Sequence, residues 1–81
     1  YVARLVEAGP AAAARKLGEE AVETALAGAA ESDERLVSEL ADLWFASYVL
    51  LAARGLDPAA VEDELARRAG LTGEAGPAAG P

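Results

Sequence analysis

The chain has 81 residues, a formal net charge of −7 and neither cysteine nor histidine. Its length suits one small domain, close to the size at which a single core is marginal, and its acidity repels the phosphates of nucleic acid, so no nucleic-acid partner is expected. The missing residue types exclude disulfides, thiolate metal sites and imidazole ligands or bases, which leaves carboxylates, Lys16, tyrosines, hydroxyls and the backbone to carry any chemistry.

Gly9-Pro10 separates a short first segment, Tyr1 to Ala8, from a second that runs to about Ala30. Ser32 is an N-cap candidate, with Asp33 and Glu34 in the first turn where the helix dipole favours negative charge. The third segment runs to Arg54, and Gly55 suits the C′ position behind it. Asp57-Pro58 reads as N-cap and N1 of a fourth helix ending near Arg68. No run alternates with period two, so the fold class is all-α. Residues 1–69 form the domain, and 70–81, rich in Gly, Ala and Pro, read as a flexible tail. Tyr1 is not a natural start, so an N-terminal segment outside the chain is expected.

On a helical wheel the second helix gathers Leu17, Ala21, Val22, Ala25 and Leu26 on one half, against Lys16, Glu19, Glu20 and Glu23 on the other. The third helix is apolar around most of its circumference: Leu36, Leu40, Leu43, Trp44 and Leu51 form one stripe, and Phe45, Val49 and Leu50 continue it. Such a helix needs cover on every side. Three companions in a chain this small do not supply it, so a helical bundle completed by homo-oligomerisation is expected. The longest uncharged run on a helix, Leu43 to Ala53, is short of the roughly 20 apolar residues that span a bilayer. No secretory signal is visible, so no membrane association is expected, and the lack of cysteine fits a cytoplasmic location.

Two acidic motifs stand out, Glu19-Glu20-x-x-Glu23 and Glu39-x-x-Asp42. In each, i,i+3 spacing puts two carboxylates on one helix face. In an antiparallel hairpin turning near Ala30 and Glu31, Glu23 comes level with Glu39, and Glu20 with Asp42. Four carboxylates then converge and repel; a hard divalent cation, Mg²⁺ or Mn²⁺, relieves that. Solvated acids on a polar face are the alternative reading for the second helix. On the third, Glu39 and Asp42 share an arc with Ala46, Val49, Leu50 and Ala53, where burial calls for a partner. Lys16 and Arg35 each precede an acid of these motifs by four residues, as an i,i+4 ion pair or as a contact for substrate phosphate.

The order of residues Tyr1-Val-Ala-Arg-Leu5, Gly9-Pro10 and Lys16-Leu-Gly-Glu-Glu-Ala-Val-Glu-Thr24 resembles the phosphoribosyl-ATP pyrophosphatases. So do Ser38-Glu-Leu-Ala-Asp-Leu43 and Val49-Leu-Leu-Ala-Ala-Arg-Gly-Leu56, and the resemblance covers about Tyr1 to Arg68. That family falls within the all-α, MazG-type nucleotide pyrophosphohydrolases. The resemblance implies a Mg²⁺ site on Glu20, Glu23, Glu39 and Asp42, with Glu19 close by. It also implies hydrolysis of phosphoribosyl-ATP to phosphoribosyl-AMP and pyrophosphate in histidine synthesis, and a cytoplasmic homodimer. Glu19 and Glu23 are the candidates for accepting the proton of the attacking water. The chain departs from the family's Tyr-His at Phe45-Ala46, and a helix that usually precedes Tyr1 is not in it. Two other functions fit the same residues: a pyrophosphohydrolase for dNTPs, and a non-catalytic helical dimerisation module.

Overall fold

A computed structural model describes residues 2–70 of the chain, and within them every regular element is an α-helix. In chain order these are α1 (Val2–Glu7), α2 (Pro10–Ala30), α3 (Asp33–Ala53) and α4 (Pro58–Arg68). The expected tail lies almost wholly outside the described residues.

Each helix end has a local chemical cause. Gly9 takes φ +96, a conformation that L side chains rarely adopt, and Pro10 then starts α2 with its φ already helical. Ser32 accepts a hydrogen bond from Arg35 N at 3.2 Å and caps α3. At the other end of α3, Gly55 sits at φ +70. Leu56 N donates to Leu51 O at 2.8 Å and Gly55 N to Ala52 O at 3.0 Å, the paired bonds of a Schellman stop. Asp57 Oδ1 accepts from Ala59 N at 2.9 Å and opens α4.

With only Glu31 and Ser32 between them, α2 and α3 form an antiparallel hairpin. The seam is built from small residues and acids. Ala13, Glu20, Thr24 and Ala27 are buried on α2, and Glu39, Ala46 and Val49 on α3. The face of α2 that packs is the one carrying Glu20, as convergence of the two acidic motifs requires, and not the apolar half of its wheel. Val22 and Leu26 are 60% exposed, as is most of the apolar half they belong to. Alanines let the backbones approach closely, which the larger side chains on the opposite half would prevent.

On α3, Val37, Trp44, Phe45 and Tyr48 are exposed, and Val61 and Leu65 are exposed on α4. Trp44, Tyr48, Leu50 and Leu51 line an apolar groove with Leu17 of α2 and with Val61 and Leu65 of α4. A buried methyl group contributes roughly 0.8 kcal/mol, whereas covering a Val, Leu or Phe side chain contributes about 1.5–3. The larger hydrophobic term of this chain is therefore held on surface that its own helices leave open. By length and composition alone α3 is also apolar enough to cross a membrane, with a mean hydropathy of 1.5. That goes beyond what the uncharged run Leu43 to Ala53 alone suggests. Against a membrane span, Glu39 of α3 is buried and α3 packs on α2, which carries Lys16, Glu19, Glu20 and Glu23.

Candidate acidic metal site

The hairpin brings Glu20 and Glu23 of α2 beside Glu39 of α3. One carboxylate oxygen from each lies within 4.8 Å of the others. Glu20 and Glu39 are 7% and 5% exposed, so both acids belong to the seam, while Glu23 stands at its solvent edge. Asp42 is exposed and does not join this trio, but it borders a pocket together with Glu20 and Lys16. Leu5 of α1, Phe45 and Val49 supply that pocket's apolar wall. Glu19 is exposed and lies outside the cluster.

Each buried acid is held from one side by a cation of its own helix. Lys16 Nζ lies 3.1 Å from Glu20 Oε2, and Arg35 Nη2 donates to Glu39 Oε2 at 2.6 Å. Arg35 also donates through Nε to Glu31 at 3.2 Å. Of the two readings of Lys16 and Arg35, the ion pair is the one the geometry displays. The other oxygens differ: Oε1 of Glu20 and Oε1 of Glu39 are both buried and have no hydrogen-bond partner among the described residues. Orphaned carboxylate oxygens in a seam are costly unless something positive meets them.

Glu23 registers the same excess of negative charge. Chiefly Glu20, then Glu39, and then desolvation raise its carboxyl above the ordinary 4.5, while Lys16 opposes them. The arrangement fits a hard divalent cation, since the ligand atoms are all oxygens and two of the buried ones have no hydrogen-bond partner among the described residues.

Thr24 is a member of the seam that sequence reasoning does not single out. Its hydroxyl lies 2.8 Å from Glu20 O and 3.0 Å from Glu39 O, so it touches the backbone of both buried acids. The available signal was a polar β-branched residue four positions after Glu20.

Comparison with known proteins adds a family. The profile described as phosphoribosyl-ATP pyrophosphohydrolase matches residues 1–69. Among curated proteins, the phosphoribosyl-ATP pyrophosphatase of Bordetella avium (strain 197N) is 51% identical over 73 residues, covering 90% of this chain and 63% of the relative. That of Polaromonas sp. (strain JS666) is 48% identical, over 90% of this chain and 64% of its own length. The enzyme of that name from Pyrobaculum calidifontis is 57% identical over 68 residues, which is 84% of this chain and 72% of its own. The chain thus spans less than two thirds of the first two relatives. No solved structure gives a significant match.

Proposed function

The chain belongs to the phosphoribosyl-ATP pyrophosphohydrolase family, and from that premise we propose that it hydrolyses phosphoribosyl-ATP to phosphoribosyl-AMP and pyrophosphate, the second step of histidine synthesis. The observation that carries this reading is the clustering of the Glu20, Glu23 and Glu39 carboxylates, two of which bury an oxygen with no hydrogen-bond partner among the described residues. Glu20, Glu23 and Glu39 would hold a Mg²⁺ ion, for which Mn²⁺ could substitute, and Asp42 would contribute from the adjoining pocket. When bound, Mg²⁺ neutralises phosphate oxygens and makes a water more acidic.

The remaining work falls to side chains of the chain. Glu23 is better placed than Glu19 to accept the proton of the water attacking the α-phosphorus. It belongs to the cluster, and Glu19 lies outside it. Pyrophosphate leaves. Lys16 and Arg35 keep the buried carboxylates turned inward through their outer oxygens. The pocket beside Glu20 and Asp42 receives the substrate, with Phe45 on its apolar side. The exposed apolar surface of α2, α3 and α4 is covered by a second copy in a cytoplasmic homodimer.

Pyrophosphate release, measured with and without Mg²⁺ from phosphoribosyl-ATP and from a panel of dNTPs, tests this. The expected result is turnover of phosphoribosyl-ATP that requires the metal. Turnover of a dNTP in its place would keep the site and change the biology. No turnover of any substrate by folded protein would favour a structural helical module.

A further inference from the structure

Thr24 sits in the seam at 9% exposure, between the two acids whose inner oxygens are orphaned. A threonine hydroxyl bonded to the carbonyl four residues back is ordinary in helices, so the contact with Glu20 O needs no special account. The contact with Glu39 O does, because it crosses to the other helix. One proton serves two acceptors, and both belong to the buried acids.

Shape alone does not call for a hydroxyl here. Valine would fill the same volume in a seam whose other neutral members are Ala13, Ala27, Ala46 and Val49. Nor do those neighbours fix how far one helix slides along the other, since methyl groups interlock weakly. The axial register still has to be tight for a cation site. One residue of slip moves a side chain by about 1.5 Å, while metal–oxygen distances tolerate about 0.2 Å.

We propose that Thr24 is a positioning residue, whose hydroxyl bridges the backbones of Glu20 and Glu39 and sets the register at which their inner carboxylate oxygens face a common divalent cation. The inference rests on the reading of the acidic cluster as a Mg²⁺ site. Thr24 touches neither the cation nor the substrate. It acts through the two helices.

The test compares Thr24→Val, which keeps the shape and loses the hydroxyl, with Thr24→Ser, which keeps the hydroxyl. Thermal melting of each is followed across a Mg²⁺ titration, alongside the Mg²⁺ dependence of pyrophosphate release. In Thr24→Val the Mg²⁺ concentration for half-maximal stabilisation is expected to rise by roughly tenfold or more, as for other groups that orient metal ligands. Thr24→Ser is expected to stay near wild type. If Thr24→Val disturbs packing too far to fold, Thr24→Ala removes the same hydroxyl with a residue of higher helix propensity.

A melting temperature lowered equally with and without Mg²⁺, and an unchanged Mg²⁺ midpoint, would overturn the inference and leave Thr24 a purely structural residue. A wild-type chain with no Mg²⁺ response at all would overturn the metal-site reading and this inference together. The two failures are therefore distinguishable.

Discussion

The face that α2 and α3 press together and the face they turn outward have opposite compositions. Inside are alanines, one valine, a threonine and two glutamates; outside are Val22, Leu26, Val37, Trp44 and Tyr48. An ordinary helical hairpin reverses this, with large apolar residues in the seam and acids in water. The reversal separates two tasks. The inner face positions charge at some cost in stability, and the outer face holds the apolar area whose covering compensates. In the proposed homodimer, a second copy would cover the outer face while the inner one keeps the carboxylates together.

Glu23→Gln tests the inner face and carries the largest effect. Its carboxyl is pushed above 4.5 by Glu20 and Glu39, so its ionised form opposes folding. That penalty applies above the folded-state pKa and is relieved as pH falls through it toward 4.5. At neutral pH Glu23→Gln should therefore raise the metal-free melting temperature while lowering turnover by about 10²–10⁴-fold, the usual contribution of a general base. Unchanged turnover would break the assignment of the inner face.

Trp44→Asp probes the outer face. Covering each large apolar side chain contributes about 1.5–3 kcal/mol, so a charge at the 64%-exposed Trp44 should shift the sedimenting species to the mass of a single chain. A wild-type protein that already sediments as a single chain would show that the outer face has no second copy on it.

The smallest effect belongs to α4. Glu64 is held down to about 2 by hydrogen bonds from Arg67 and then Arg68. A depressed carboxyl stabilises the fold above its unfolded value of 4.5 and loses that contribution as pH falls toward 2. Helical circular dichroism should decline slightly across that window, and Glu64→Gln should flatten the decline.

The helix ends were legible in the sequence because their causes are local. Ser32, Gly55, Asp57 and the Gly9-Pro10 pair each act on backbone within a few residues of themselves. The arc of α3 that carries Glu39, Ala46 and Val49 was legible too, since the acid shares it with small apolar residues. The packed face of α2 was legible only through its acids, whose convergence on those of α3 requires it. Hydropathy ranks Leu17, Val22 and Leu26 as the side to bury, and a hairpin that buries Glu20 and Thr24 instead contradicts the ranking. What selects that face is close approach of backbones and the partner acid on α3, neither of which a single helix displays. The orphaned oxygens and the Thr24 bridge belong to the same class, as properties of a pair of helices.

The two-residue turn at Glu31 and Ser32 has a kinetic consequence. Glu20, Glu23, Thr24, Glu39 and Asp42 all fall within residues 20–42, folded back through that one turn. Loop-closure entropy rises with the length of chain enclosed, and contacts of low sequence separation form early. These acids can therefore come together from the turn outward, with Lys16 and the pocket wall of Leu5 and Phe45 joining from outside that stretch.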